Sequence, residues 1–533
     1  MNVARARTAV LVLAICAVAL VAVTSATTAT PPPAVKNGGT LTIGLAEEPD
    51  ALDPTLARTF VGRMVFMAMC EKLYDINAHL QIVPQLAAAM PKFSVNKKTV
   101  TIQIRKGIKF NDGTPLNAAA VQQSLMRDKT LPRSTRASEL APVTSIDTQG
   151  NYTVILHLVS RYAPITAQLA DRSGMIMSPQ ALNNLGANFA TNPVCVGPFM
   201  FKERVAGDHI TLVKSPYYYA KNKVHLDSIV FKIMTDPAAR SQNLRADSID
   251  VEDRIPSTEL QAIKADKQLR VIKSTSIGYQ GITINIGNKN GLNKTYENVG
   301  TPFAQSAQLR QAFNLALDRT LINKLVFGGT QTPGCFPFPP ASPYFAATKG
   351  IPCNVKANLT AAKAAFKKSG ATAPVTLHLM LGGTDPITQR LGTVIQGEEK
   401  AVGFNIVLDP TEFATSLNRE DAGNFATYAV GWSGRVDPDG NFYQFVNSKG
   451  SQNDSGYVNA VVDKATNQAR AVLVQSRRIG FYHTALVQIA KDLPLLYLYY
   501  PVNRFGVNTK VAGVQIYGDG LIRAQFAGFK KGT

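Results

Sequence analysis

The stretch GWSGRVDPDGNF at residues 431–442 has the residue types that could bind a ligand or do chemistry. It contains Trp432, the single tryptophan of the 533-residue chain, followed closely by the charged residues Arg435 and Asp437. The flanking glycines let another group approach the backbone, and an indole beside open backbone makes a flat platform for a ligand. The pattern favours a pocket wall at Trp432, with a tryptophan buried in the core as the alternative.

Ser433 lies between glycines, which raises the question of a hydrolase. A hydrolase nucleophile elbow has glycine two residues before and two residues after its serine, whereas Gly434 follows Ser433 directly. The sequence assigns no histidine or acid partner to this serine. Asp437 and Asp439, separated by a proline, fit a turn better than a metal site. We therefore expect no catalytic residue, no metal and no cofactor, in a protein that is not an enzyme.

The elements around this stretch indicate an α/β protein. The segments 40–45 and 99–104 alternate apolar and polar residues as half-buried strands do. Asn-Asp-Gly at 111–113 predicts a turn, and Asn117 predicts the N-cap of the next helix. Residues 309–329 predict one amphipathic helix that ends at two glycines, with an apolar face formed by Leu309, Ala312, Phe313, Ala316, Leu317 and Leu321. Strands that alternate with helices in this way are typical of α/β lobes.

The first 26 residues have the layout of a cleavable signal peptide, with a basic start and a short apolar run at 9–23. That run is shorter than the roughly 20 residues of a membrane-spanning helix. Cleavage is expected after Ala26, and residues 27–37 are expected to form a flexible lead. Cys16 resembles a lipoprotein cysteine, but Ile15 stands where a lipoprotein has a small residue, so we expect no lipid anchor. The predicted location is the periplasm or the cell exterior.

Four cysteines follow the signal peptide, an even number that suggests disulfides in an oxidising compartment. Cys335 and Cys353 bracket a proline-rich segment with little capacity for regular structure, and we predict a disulfide between them. A second bond between Cys70 and Cys195 is left open.

The formal net charge of +20 raises the question of a nucleic-acid partner. The lysines and arginines are spread thinly, without a run of five or six. We therefore expect a cationic solvated surface and no nucleic acid.

Several segments, in this order, resemble family 5 extracytoplasmic solute-binding proteins, the dipeptide, oligopeptide and nickel-binding class that serves ABC importers. They are EEPDALDP, CEKLYDINAHLQIVPQLAAAM, TIQIRKGIKFNDGTPLNAAAV, VCVGPFMFKERVAGDHITLVKSPYYY, LRQAFNLALDR, VGFNIVL and GWSGRVDPDGNF. The resemblance covers essentially the whole chain after the signal peptide.

The resemblance implies an α/β fold in the form of a periplasmic-binding-protein-like two-lobe clamp with a hinge and an extra small α/β domain. The predicted boundaries are residues 38–72, 190–278 and 505–533 for the first lobe, 73–189 for the extra domain and 279–504 for the second lobe. Two chain crossings, near residues 276–282 and 499–507, would form the hinge.

The resemblance also implies a function. The lobes would close around a peptide or similar-sized polar solute without covalent chemistry, and a membrane permease and ATPase of an ABC importer would receive it. The protein would act as a monomer. Two alternatives stay open: a nickel, metal-chelate or other anionic-solute binder of the same fold, and a secreted ligand sensor that needs no transporter.

Six residues are the predicted ligand contacts. In the resembled family, the tryptophan that matches Trp432 lines the solute pocket. Tyr279 lies at the predicted hinge, and Arg58 and Phe60 lie in a first-lobe loop that faces solute in this family. The remaining two are Arg435 and Asp437, and they are alternatives.

Peptide-binding members carry an aspartate about three residues after this tryptophan, where it pairs with the α-ammonium of the ligand. Depending on where a gap is placed, Arg435 or Asp437 takes that position. A buried arginine would accept an anion, preferably in a bidentate geometry, whereas an aspartate would accept an amine. The sequence leaves both possibilities open.

Overall fold

The structure of the chain is a computed structural model that describes residues 34–292 and 294–532. The predicted signal peptide, its cleavage after Ala26 and the lipid-anchor question at Cys16 lie outside these residues. Within them, strands and helices alternate and assemble on two large sheets, which is the α/β architecture that the sequence predicts. In this part of the chain, no helix has both the length and the apolar character needed to cross a membrane.

The first lobe is built on a seven-stranded sheet. Across the sheet the strands are Leu269–Thr275, Val502–Asn508, Val251–Glu252, Thr40–Leu45, Ser228–Ile233, His209–Lys214 and Phe199–Val205. Helices Phe60–Met69, Pro237–Arg245 and Leu260–Ala265 pack against it. Short strands at the C-terminus, Val511–Ala512, Gln515–Ile516, Ile522–Arg523 and Gly528–Lys530, complete the lobe together with Val35–Lys36. Leu41, Ile43 and Leu45 are fully buried, as their alternation predicts.

The second lobe is built on a six-stranded sheet. Across the sheet the strands are Thr332–Pro333, Leu495–Tyr500, Tyr279–Ile284, Thr427–Trp432, Val375–Gly382 and Phe404–Thr411. Its helices are Pro302–Gln305, Ala307–Ala316, Arg319–Phe327, Leu359–Lys368, Pro386–Lys400, Phe413–Asp421, Tyr443–Val446, Ala460–Ala471 and Gln475–Asp492. Two neighbouring strands run antiparallel and place Tyr279 opposite Trp432.

A smaller four-stranded sheet forms the extra domain. Its strands are Lys92–Phe93, Thr99–Gln103, Thr153–Leu158 and Val143–Gln149. A hairpin of Tyr74–Ile76 and Ile82–Pro84 and the helices Ala118–Thr130, Ile165–Gln168 and Pro179–Leu185 lie in the same part of the chain. The predicted cap is present, because the Asn117 Oδ1 atom accepts a hydrogen bond from the Ala120 backbone at 2.9 Å.

The two lobes are joined by two chain crossings that lie side by side. One runs through residues 276–278, between Leu269–Thr275 in the first sheet and Tyr279–Ile284 in the second. The other consists of Pro501, between the last strand of the second lobe and Val502–Asn508. The Ser276 backbone donates to the Pro501 carbonyl at 2.9 Å, so the crossings are hydrogen-bonded to each other.

The predicted single helix over residues 309–329 is two helices, Ala307–Ala316 and Arg319–Phe327. The break arises because Asp318 accepts a hydrogen bond from the Leu321 backbone at 2.7 Å and so caps a new helix. Leu321, predicted on the apolar face, is consequently not part of the core and is 40% exposed. The predicted stop is correct, since the second helix ends at a glycine with φ of 58°.

Both pairs of cysteines form disulfides. Cys335 and Cys353, the predicted pair, have Cα atoms 5.5 Å apart. Cys70 and Cys195, which the sequence left open, have Cα atoms 5.0 Å apart and join the end of the helix Phe60–Met69 to the segment that leads into the strand Phe199–Val205.

Candidate functional site

A cavity lies between the two lobes and encloses, with the solvent at its mouth, about 710 Å³ of empty space. The first-lobe loop at residues 58–60 forms one side. The strand that begins at Tyr279, the strand that ends at Trp432 and residues from the helix Phe413–Asp421 form the other side. Four of the predicted contacts line this cavity: Arg58, Phe60, Tyr279 and Trp432.

A single carboxylate positions the first-lobe loop. Asp50 accepts hydrogen bonds from the Arg58 backbone at 2.8 Å, from the Thr59 backbone at 3.2 Å and from the Thr59 hydroxyl at 2.8 Å. Thr59 in turn caps the helix Phe60–Met69 by accepting from the Gly62 backbone at 3.3 Å. The Arg58 and Phe60 side chains are therefore presented from a fixed helix start.

Trp432 is half-buried and has defined neighbours. Its indole Nε1 donates to Asn441 Oδ1 at 3.2 Å, and the Phe445 ring meets it edge-on with centroids 4.9 Å apart. The glycine after Ser433 serves the hinge rather than the cavity: Gly434 has φ of 83°, and a Cβ atom there would lie 2.5 Å from the Gly278 backbone nitrogen. The backbone that follows Trp432 therefore packs directly against the hinge segment at Gly278.

An acidic group of the second lobe, defined here as Glu420, Asp421 and Asp454, faces Arg58. Arg58 donates to Asp421 Oδ2 at 2.6 Å and to Gln452 at 3.3 Å, so this ion pair connects the lobes beside the cavity. Burial would lower the pKa of Arg58, but the three carboxylates outweigh it and raise that pKa above its ordinary value. Glu420 and Asp454 themselves line the cavity.

The two lining carboxylates are only weakly compensated. Burial raises the pKa of Glu420 well above its ordinary value, and the nearby Asp454 raises it further. Burial also raises the pKa of Asp454 to about 7, with Arg58 opposing and Asp421 adding to the rise. Burial is the main cause of both shifts, so each of these two carboxyl groups holds a proton more readily than an exposed one does.

Arg435 does not line this cavity. It lies beside a second, smaller cavity of about 420 Å³, where its guanidinium forms an ion pair with Asp171 and covers the Trp432 ring at 4.3 Å. Burial lowers the pKa of Arg435 to about 9, although Asp171 opposes the shift. Burial would raise the pKa of Asp171, but Arg435 and Arg63 hold it well below its usual range.

Asp437 lines neither of these two cavities. Arg478 donates to both of its carboxylate oxygens at 2.7 Å, a bidentate pair within the second lobe. Asp439 also pairs with an arginine of this lobe, Arg470, at 2.8 Å. In the structure, Arg435 pairs with Asp171 and Asp437 pairs with Arg478, so neither charge is presented to the cavity between the lobes. A ligand contact at Arg435 or Asp437 stays a prediction.

Sequence reasoning missed Glu420, Asp454 and Phe445. One signal was present for the first: Glu420 and Asp421 are the last residues of the helix Phe413–Asp421. The helix dipole disfavours carboxylates at the C-terminal end of a helix, so two consecutive acids there indicate a role other than helix stability. No sequence signal marks Phe445, in the short helix Tyr443–Val446, or Asp454, in the turn that follows, because both reach the cavity only through tertiary contacts. In the described residues there is no group of three or more His, Cys, Asp or Glu side chains arranged to hold a metal ion.

Comparison with known proteins gives a consistent result. The profile of the bacterial extracellular solute-binding proteins, family 5 (middle), matches residues 81–454. The chain is 27% identical over 494 residues to the probable D,D-dipeptide-binding periplasmic protein DdpA of Escherichia coli strain K12, covering 89% of this chain and 90% of that protein. It is 23% identical over 513 residues to the oligopeptide-binding protein AppA of Bacillus subtilis strain 168, covering 90% of each.

Solved structures show the same fold. AppA from Bacillus subtilis, in complex with a nonapeptide, superposes with a TM-score of 0.83 at 21% identity and covers 93% of this chain and 100% of that one. The Escherichia coli murein tripeptide binding protein MppA gives a TM-score of 0.82 at 21% identity, covering 94% and 99%. These likenesses confirm the predicted two-lobe α/β fold. Since the family profile spans more than half of the chain, the chain belongs to the family 5 bacterial extracellular solute-binding proteins.

Proposed function

We propose that the chain binds a peptide or similar-sized polar solute in the cavity between its lobes and delivers it to the permease and ATPase of an ABC importer. Binding would occur by hinge closure and without covalent chemistry. The observation that carries the proposal is the cavity of about 710 Å³ at the lobe junction, with Arg58 and Phe60 on one side and Tyr279 and Trp432 on the other.

The contacts between the lobes support a closing motion. Arg58 reaches Asp421 at 2.6 Å, and Arg63 reaches the Ser433 hydroxyl at 3.1 Å, both across the junction. The two short crossings, residues 276–278 and Pro501, link the lobes covalently, so a rotation about them would separate these pairs and open the cavity. A solute that touches both walls would then favour the closed form.

The proposal places the protein outside the cytoplasm, as a secreted monomer. The names of its relatives are consistent with this: DdpA is called periplasmic, and DdpA and AppA are called peptide-binding. Their names assign no solute to this chain. The unusual Arg435 and its pairing with Asp171 argue against transferring one directly.

The single tryptophan makes the test specific, because Trp432 is both the only indole and a cavity residue. The protein, expressed without residues 1–26 and purified gently, would be analysed by native mass spectrometry for a co-purified solute. That solute and a panel of short peptides would then be titrated while tryptophan emission is recorded. We expect a saturable change in emission and a matching calorimetric isotherm.

The control is Trp432→Phe, which should abolish the emission signal while calorimetry still reports binding, weakened by loss of the indole surface. Peptide–metal chelates serve as the competing class. Absence of any co-purified or titrated solute, or chemical turnover of the solute that binds, would contradict the proposal.

A further inference from the structure

We propose that Glu420 and Asp454 form a subsite for a positively charged group of the solute, so that the cavity selects an organic cation with an apolar body. The inference rests on the proposed function, since it names the class of solute for the same cavity. Amines and guanidinium groups both belong to this class, because both present N–H donors to carboxylates.

The charges at this wall do not balance. Three carboxylates of the second lobe meet one cation, Arg58, whose ion pair is with Asp421 at 2.6 Å. Glu420 and Asp454 are 4% and 3% exposed, and neither forms an ion pair among residues 34–292 and 294–532. A buried carboxyl group either takes up a proton or pairs with a cation, so a cationic group in the cavity would stabilise the ionised form of this pair.

Two polar atoms at the cavity are buried and have no hydrogen-bond partner within the described part of the chain. They are Asp454 Oδ1 and the Tyr279 hydroxyl, and both residues line the cavity. Asp454 and Tyr279 are 3% and 2% exposed, so water reaches these groups poorly. An N–H donor of a bound solute would satisfy the Asp454 oxygen, and the Tyr279 hydroxyl could join the same set of hydrogen bonds.

The position of Glu420 strengthens the local negative potential. It stands in the last turn of the helix Phe413–Asp421, where the backbone carbonyls carry the negative end of the helix dipole. The raised pKa values of Glu420 and Asp454 have the same origin, since each charge is buried beside other negative charges. A cation at this place would be attracted by both carboxylates and the helix end.

The rest of the cavity is suited to an apolar body. Aromatic rings of Phe60, Phe445 and Trp432 line it, together with Phe413 and Leu417. Aromatic faces also attract cations directly, which adds to the preference for a positive group. An anionic head group would compete with protein carboxylates for the nearest arginines, because Arg58 is engaged by Asp421 and Arg435 by Asp171.

Three probes with the same phenyl and two-carbon body test the inference: 2-phenylethylamine, 2-phenylethanol and 3-phenylpropanoate, which carry a positive, a neutral and a negative head group. Their dissociation constants would be measured by Trp432 emission and competition with any co-purified solute. We expect the amine to bind at least about tenfold more tightly than the alcohol, and the carboxylate to bind most weakly, since hydrogen bonds to charged groups are the strong ones.

The isosteric variants Glu420→Gln and Asp454→Asn should each reduce the preference for the amine to below about threefold, as expected when a charged acceptor becomes neutral. The matched control is Glu297→Gln, which removes one negative charge from the same lobe at an exposed pair with Lys289. That variant should keep the full preference. Circular dichroism verifies folding, and the comparison of the three probes on the unmodified protein does not depend on any variant.

Equal binding of amine and alcohol, or tighter binding of the carboxylate, would overturn the cation subsite while the proposed function stands. The cation subsite is also refuted if none of the probes binds but a neutral or anionic solute co-purifies. If neither the probes nor any other solute binds, the proposed function falls as well.

Discussion

Arg58 of the first lobe and the acidic group of the second lobe form one network of charged side chains across the junction. Arg58 is held in place by the Asp50 hydrogen bond to its backbone at 2.8 Å, and its guanidinium crosses to Asp421. Two of the opposing carboxylates, Glu420 and Asp454, border the cavity and have no ion partner among the residues that the structure describes. At the scale of single residues, we expect these two carboxyl groups to determine which charge the bound solute carries.

A pH dependence of binding follows from Asp454. The groups that face it are Arg58, Asp421, Glu420 and, from the neighbouring loop, Tyr296. The pKa of Asp454 is raised to about 7 without ligand, and a bound cation favours its ionised form. Affinity for 2-phenylethylamine should therefore rise between about pH 5.5 and 8, a range in which alkyl amines stay protonated, as they do up to about pH 9.

Calorimetric titrations across that pH range measure the effect, and proton uptake or release can be separated by using buffers of different ionisation enthalpy. Protons should be released on binding near the pKa of Asp454. In Asp454→Asn the slope should be smaller, with the remainder belonging to Glu420. An affinity for the amine that is constant with pH would disagree with the role given to Asp454.

At the scale of elements, the site depends on where helices begin and end. The helix Phe60–Met69 starts at Thr59 beside the cavity, and the helix Phe413–Asp421 ends there with its two acids. Sequence patterns predict such boundaries when a capping residue is visible, as at Asn117. The sequence pattern predicted one helix across Asp318, because the apolar spacing continues past it, but Asp318 caps the start of a second helix.

Asp50→Ala tests the first of these boundaries. The substitution removes the acceptor of three hydrogen bonds, two from backbone N–H groups and one from the Thr59 hydroxyl. We expect a loss of about 1–3 kcal/mol in the free energy of unfolding, measured by urea denaturation followed by circular dichroism. Solute affinity should also fall, because Arg58 and Phe60 lose their fixed position.

The control is Asp147→Ala, at an exposed contact with the His157 imidazole that is expected to contribute little to stability. Its unfolding free energy and solute affinity should match those of the unmodified protein. If Asp50→Ala behaved like Asp147→Ala, the loop would not depend on that carboxylate.

At the scale of the whole molecule, an ionic cluster on the other side of Ser433 joins the lobes a second time. Asp171 forms ion pairs with Arg63, at 3.2 Å, and with Arg435. Arg63 also donates to Ser433 at 3.1 Å. Arg435, which the family resemblance predicts as a ligand contact, lies beside the smaller cavity in this structure, and we expect its ion pair with Asp171 to stabilise lobe closure.

Asp171→Asn should favour separation of the lobes, because it leaves Arg63 and Arg435 buried without their counter-charge. Breaking a buried ion pair typically costs about 3–5 kcal/mol, and part of that cost is relieved when the lobes open. We expect a larger radius of gyration in small-angle X-ray scattering without solute and roughly tenfold weaker binding. In the double variant Asp171→Asn with Arg435→Gln, the radius of gyration and the solute affinity should both return part of the way to those of the unmodified protein. An unchanged radius of gyration and affinity would show that this cluster does not govern closure.

The sequence by itself determined the features that depend on local pattern or on a short span of chain. These include the strand at 40–45, the cap at Asn117, the Cys335–Cys353 pair and, through family resemblance, the two-lobe fold and the place of Trp432 at the cavity. Local propensity and hydrophobic period act over a few residues, so they can be read along the chain.

Only the tertiary structure decided which charges face the cavity. Arg435 and Asp437 follow Trp432 closely, yet Asp171 and Arg478 neutralise them from distant parts of the chain. Glu420 and Asp454, by contrast, line the cavity without an ion partner among the described residues, because the fold pairs the nearby Arg58 with Asp421. Whether a charge is available to a ligand depends on its burial and on its partners, and both are set by contacts between residues far apart in sequence.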